Sequence, residues 1–205
     1  MDYNIIGSGS SGNCVRVGDM LFDVGLPFTT IQDELFKVRY LFITHKHSDH
    51  INRVTYRKLR RKYPRITVVA NYDVAQVIHV DKVVSDSSVF TLPGRTVTCF
   101  KLIHDVVCTG YNISMSDGTE IIYATDTSSL ENAPDKKYDY LFLESNHDEK
   151  KLEQISTNAK KLYGYDAYSG GKRHLSTQQS KAFYFLHRRS RESEWIELHK
   201  SNRFY

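Results

Sequence analysis

The chain has no apolar run approaching the ~20 residues that a membrane-spanning helix needs. Its start, Met1-Asp2-Tyr3-Asn4, has no basic stretch leading into an apolar core, so no secretory leader is expected. Cysteine is scarce: Cys14, Cys99 and Cys108 make an odd count without paired spacing. That excludes a disulfide scaffold and points to a reducing, cytoplasmic setting. Neither sign of charge dominates, and a net charge of +4 is too small by itself to imply a nucleic-acid partner. Repeats, low-complexity tracts and linkers are also missing. The 205 residues are therefore expected to form one soluble domain, 1–205, able to bury a core of two or more layers.

What is present is concentrated in His45-Lys46-His47-Ser48-Asp49-His50, directly after the apolar stretch Tyr40-Leu41-Phe42-Ile43-Thr44. His45 and His47 alternate, so one extended segment can aim both imidazoles at one ion. Asp49 and His50 follow where the chain turns towards a helix and can face a second ion. Imidazole with carboxylate suits zinc, and also manganese or iron. A polar loop with capping histidines is the bland alternative, and it explains this density poorly.

Alternating apolar residues predict strands at Asn4–Ile6, Val15–Val17, Met20–Asp23, Val38–Thr44, Ile66–Ala70, Val89–Leu92, Thr96–Leu102, Val107–Ile113, Glu120–Ala124, Tyr140–Leu143 and Trp195–Leu198. Helices are predicted over Thr29–Phe36 with Thr30 as N-cap, Arg53–Tyr63, Asp73–Ile78, Glu149–Tyr163 and Thr177–Arg188. Strands and hairpins followed by strand-helix units, twice over, suggest packed sheets with helices outside. Gly7-Ser8-Gly9-Ser10-Ser11-Gly12 matches G-x-G-x-x-G, but the alternating Cys14-Val15-Arg16-Val17 follows where a dinucleotide fold needs a helix. A Rossmann reading is rejected.

Several further polar groups stand just past buried strands. Asp23 is a turn carboxylate or an acceptor that orients a metal-bound imidazole. His104 ends the strand Thr96–Leu102 and fits a metal ligand. Asp126, in Ala124-Thr125-Asp126-Thr127, could bridge cations ~3.5–4 Å apart. In Glu144-Ser145-Asn146-His147-Asp148, Glu144 is read as orienting a histidine and His147 as touching substrate, while Asn146 or Asp148 could cap the next helix. His174 precedes a helix and His199 follows the last strand. Spacing does not say which is a ligand and which an acid. Arg53, Arg57, Lys58, Arg60, Arg61, Lys62 and Arg65 make the helix after the histidine run basic, either as a solvated face or as an attractor of phosphate.

With these residues the chain resembles the metallo-β-lactamase superfamily, from Asp23 through His199. The H-x-H-x-D-H run His45–His50 carries most of the likeness. Gly7–Cys14, Ala124–Thr127, Glu144–Asp148 and His174-Leu175-Ser176 look like its YycJ-type branch, which is associated with nuclease activity on DNA. Leu198–Tyr205 looks like the closing motif of the ribonuclease Z group, which processes transfer-RNA 3′ ends. Arg173 and Ser128 stand where that branch has glycine, and no β-CASP-like insertion separates Asp126 from His199. The resemblance implies an α+β fold, the four-layer αββα sandwich. It also implies two divalent metals, zinc or else manganese, with His45, His47, His104 and Asp126 on one and Asp49, His50, Asp126 and His199 on the other. His174 matches the non-ligand histidine near the scissile phosphate.

The expected activity is phosphodiester hydrolysis of nucleic acid by a hydroxide bridging the metals. Asp49 would orient it and accept its proton, His174 would assist the leaving oxygen, Glu144 would position His174, and Lys172, Arg173 or the basic helix would hold neighbouring phosphates. Alternatives are a cyclic-nucleotide phosphodiesterase like the phage anti-Pycsar enzymes, a lactam, lactone or thioester hydrolase, and a metal-stabilised binding module without turnover. A homodimer is expected from the family's habit, and no membrane partner.

Overall fold

The computed structural model describes residues 1–155 and 167–201. The chain divides into two compact units, Met1–Ser85 and Asp86–Tyr205.

The first unit is built on a six-stranded sheet in chain order, β1 (Tyr3–Gly7), β2 (Cys14–Val17), β3 (Met20–Phe22), β4 (Tyr40–Ile43), β5 (Thr67–Asn71) and β6 (Lys82–Val84). β1 to β3 pair antiparallel, as the short hairpin connections require, and β3 to β6 pair parallel. The carboxyl ends of β3 and β4 therefore leave the same edge of the sheet, and these are the ends that carry Asp23 and His45. Leu21, Leu41, Ile43, Val68 and Ala70 fill the core beneath α2 (Arg53–Lys62). The α2 helix begins at Asn52, whose side chain accepts from Val54 N–H and Thr55 N–H, and it buries Thr55, Tyr56 and Leu59. Its basic face is largely exposed at Arg53, Arg57, Lys58, Arg61 and Lys62, whereas Arg60 makes two 2.9 Å contacts with the Asp81 carboxylate.

Between β3 and β4 the structure departs from the helix expected over Thr29–Phe36. A single turn, α1 (Phe28–Ile31), is followed by a 3-10 turn at Leu35–Lys37. Pro27, with its fixed φ, takes the N-cap place assigned to Thr30, whose own N–H donates to the Pro27 carbonyl at 3.0 Å. Glu34 is drawn instead to Arg16, which is buried in β2 and also reaches Asp2 at 3.0 Å and the Gly18 carbonyl at 2.9 Å. After β5, only Tyr72–Ala75 (α3) is helical within the helix expected to Ile78.

The second unit carries the sheet order β12-β11-β10-β9-β8-β7, from β7 (Val89–Leu92), β8 (Arg95–Leu102), β9 (Cys108–Met115), β10 (Glu120–Ala124), β11 (Tyr140–Glu144) and β12 (Glu194–Leu198). β7 to β10 form an antiparallel meander, and β10, β11 and β12 run parallel. β8, two antiparallel steps from β10, shares its direction, so β8, β10, β11 and β12 all end at one edge. Helices α4 (Glu149–Ile155), α5 (Ala167–Gly171) and α6 (Thr177–His187) complete the unit. A capping box starts α6: Ser176 Oγ accepts from Gln179 N–H while the Gln179 side chain accepts from Ser176 N–H. Leu102, Ile122, Leu141, Leu143 and Leu175 form its core. The expected helix past residue 155 and the closing motif past residue 201 lie outside the described residues. β6 and α5 were not expected: β6 is three residues with two exposed, and α5 carries two glycines.

Candidate metal centre and catalytic site

In the first unit the histidine run leaves β4 and is clamped by backbone contacts to two other loops. Val24 N–H donates to His50 O, Asn52 N–H to Val24 O and Asn13 N–H to Asp49 O, at 2.9, 2.9 and 2.7 Å. Gly25 makes this approach possible, because a Cβ there would lie 1.7 Å from the Asp49 carbonyl oxygen. The Gly7–Gly12 loop is folded by Asn13, which accepts from Gly9 N–H at 2.8 Å and donates to Gly9 O at 3.1 Å.

The side chains follow from this frame. Asp23 is fully buried at φ 62°, a left-handed conformation, and accepts from Thr44 N–H at 2.8 Å. His50 Nδ1 lies 2.7 Å from Asp23 Oδ2, and Asn13 Nδ2 lies 2.9 Å from His50 Nε2. An amide nitrogen only donates, so His50 carries its proton on Nδ1 and offers the Nε2 lone pair. Burial pushes the Asp23 carboxyl above its usual range, with His50 and then Thr44 opposing it. His45, also fully buried, directs Nε2 to within 3.1 Å of His47 Nδ1, and its ring centroid lies 4.0 Å from that of His50. Asp49 Oδ2 is 3.5 Å from His50 Nε2. His45, His47, Asp49 and His50 thus lie close together just past the end of β4.

The second unit assembles its own constellation at the shared strand edge. Asp126, Glu144, His174 and His199 offer atoms within 4.8 Å of one another, a grouping able to hold a metal ion. Asp126 and His199 sit at φ 55° and 52°, each just past a strand. His199 Nε2 is 3.4 Å from Asp126 Oδ1, and His174 stacks on His199 with ring centroids 5.2 Å apart. His104 adds its ring 5.9 Å from that of His174 and meets Asp105 at 3.1 Å. Glu144 has no solvent exposure, yet Oε1 meets His174 Nδ1 at 2.6 Å and His199 Nδ1 at 3.3 Å, while Oε2 accepts from Thr127 N–H at 2.7 Å. Burial works against its charge, but His174, His199 and these hydrogen bonds outweigh burial and hold the carboxyl below its usual range. Burial likewise opposes the His174 charge, and Glu144 overcomes it, so the imidazole pKa is raised.

A model of the beta-lactamase superfamily domain matches residues 16–158. The chain belongs to that superfamily. Among solved structures it is similar to the metallo-β-lactamase fold protein YhfI from Bacillus subtilis, with 18% identity, 98% of this chain and 86% of that chain covered, and a TM-score of 0.67. It is similar to the short form of human tRNase Z, with 18% identity, coverage of 99% and 93%, and a TM-score of 0.65. It is also similar to a diphosphatase of the PhnP family, with 17% identity, coverage of 98% and 87%, and a TM-score of 0.66. No curated protein matches the sequence. The metallo-β-lactamase fold expected from the histidine run is therefore the fold of this chain. No described helix is long and apolar enough to cross a membrane.

Superfamily members are metal-dependent hydrolases, and the donor chemistry here fits metal: paired imidazole nitrogens in one unit, imidazoles with carboxylates in the other. Lys172 and Arg173 are exposed beside His174, with Lys172 Nζ 4.7 Å above the Tyr168 ring. His147 is buried, and burial lowers its pKa. Sequence reasoning missed Asn13 and Thr44, and it read Asn146 only as a cap. Asn146 Nδ2 instead lies 3.2 Å from His199 Nδ1 and donates to His199 O at 2.9 Å, while Asp148 accepts from Lys151 N–H in α4. The only local signal was their place one residue from a loop glycine or a histidine: Asn13 after Gly12, Thr44 before His45 and Asn146 before His147.

Proposed function

We propose that this superfamily member is a dinuclear metal-dependent phosphodiesterase, most directly a nuclease cutting DNA or RNA of the YycJ type. His45, His47, His104 and Asp126 would hold one divalent cation, and Asp49, His50, Asp126 and His199 the other. Zinc, or manganese in its place, would supply Lewis acidity and a water reactive near neutral pH. Asp49 would orient the attacking water and accept its proton. Asp23 keeps His50 in the tautomer that offers Nε2. Lys172 and Arg173 hold flanking phosphates.

The observation that carries the reading is the Glu144–His174 pair. A buried carboxylate 2.6 Å from a partly buried imidazole raises its pKa next to candidate ligands, which suits protonation of an alkoxide leaving from phosphorus. Similarity to proteins named as a tRNase and a diphosphatase supports phosphate as the substrate group.

The test is hydrolysis, in zinc and in manganese, of double- and single-stranded DNA, RNA and cyclic AMP, GMP, CMP and UMP, with Asp49→Ala as control. Turnover of polymers makes the chain a nuclease. Turnover of cyclic nucleotides alone makes it a signal-degrading phosphodiesterase. Wild-type rates in Asp49→Ala would sink the assignment of roles.

A further inference from the structure

A cavity of about 310 Å³ within the second unit opens beside His174, and His147, Ser128, Tyr168, Lys172 and Gln179 line it. Small-molecule pockets span ~300–1,000 Å³, so this one takes a single monomeric unit and no stretch of duplex. His147 is only 4% exposed, and its buried Nδ1 has no hydrogen-bond partner among the described residues. Its backbone is pinned, since His147 O accepts from Thr177 N–H at 2.9 Å and the residue bridges to Ser176. Leaving a buried polar atom unpaired costs ~1–3 kcal/mol, which packing alone does not explain.

The lining chemistry narrows the occupant. Tyr168 supplies an aromatic ring, with Lys172 Nζ 4.7 Å over it, and bases stack on aromatic rings without regard to sequence. The Gln179 side chain is fixed by accepting from Ser176 N–H at 2.9 Å, which leaves its amide NH2 as a donor. Glu149 and Glu153 also border the cavity. Their carboxylates accept from hydroxyl and amino donors. His174 is the one lining residue that also belongs to the candidate metal centre.

We propose that this cavity holds the base and sugar of one nucleotide whose phosphate is presented to His174. The proposal rests on the phosphodiesterase reading and names its substrate unit: a cyclic mononucleotide or the terminal nucleotide of a strand.

The test is equilibrium binding of nucleoside 5′-monophosphates and of inorganic phosphate to the metal-loaded protein. The monophosphates should bind at least about tenfold tighter than phosphate, the equivalent of roughly 1.4 kcal/mol. His147→Leu should bring the two towards parity. Tyr168→Leu, at a partly exposed position where folding is not at stake, should do the same. Equal affinity of nucleotide and phosphate in the wild type, or equal weakening of both in the variants, would overturn the pocket. Release of mononucleotides from strand ends and turnover of cyclic nucleotides both support it and tell the two sources apart. Nucleotide binding without turnover of any diester keeps the pocket and removes the phosphodiesterase reading. Turnover of bis(p-nitrophenyl) phosphate without preferential nucleotide binding does the reverse.

Discussion

The Nδ1 of His174 lies 2.6 Å from Oε1 of Glu144, a carboxylate that no solvent reaches. The two residues form one functional unit, because the carboxylate raises the imidazole pKa against the effect of burial. Glu144→Gln should lower kcat on a phosphodiester roughly 10²-fold, in the range for loss of acid catalysis. The double variant with His174→Ala should lose little more than His174→Ala alone. Steady-state rates of the four proteins in the cycle measure this, and additive losses would dissolve the unit.

Asp23 touches His50 but no candidate metal position, so its effect should appear in metal retention. Asp23→Asn removes the charge that fixes the Nδ1 proton while keeping the size of the side chain. Metal affinity should fall ~10–100-fold. Calorimetric zinc titration checks this, and unchanged affinity would leave Asp23 as a loop brace only.

Gly25 is the tightest backbone crossing at the histidine run. Gly25→Ala forces a Cβ against the Asp49 carbonyl, which is backbone and cannot swing aside. The expected loss is roughly 3–5 kcal/mol of unfolding free energy. Urea denaturation provides the number, and a loss below the ordinary surface-mutation range would contradict the crossing.

The Arg16 cluster predicts an acid-sensitive brace in the first unit. Burial opposes ionisation of Glu34, but hydrogen bonds from Asn4 and Arg16 and the Arg16 charge together lower its pKa. A lowered carboxyl contributes stability fully above its unfolded pKa and loses it as pH falls through the folded one. The melting-temperature gap between wild type and Glu34→Gln should therefore be widest near neutrality and close in acid. A gap that stays constant through the acid range would refute it.

The strand edges and most of the site were legible in the sequence for one reason. Polar, metal-capable residues directly after short apolar runs can be read without knowing the fold, and His45, Asp126, Glu144 and His199 all stand there. What was not legible works across distance in the chain. Asn13 meets a histidine 37 residues away and Asn146 one 53 residues away, and nothing in the local pattern announces either partner. The failed helix at Thr29–Phe36 has a similar cause. Glu34 suits a helical first turn by propensity, but a buried guanidinium in β2 draws it away.

Of the four described non-glycine residues with positive φ, three are Asp23, Asp126 and His199. A left-handed backbone costs an L-residue roughly 1–2 kcal/mol, so each of these positions weakens the fold that displays it. Glycine at Asp126 or His199 would relieve that cost while deleting a donor. A lineage released from selection for turnover would thus drift towards a tougher, inert protein. Each of the three thus sets local chemistry against global stability at the point where a strand hands over to the candidate site.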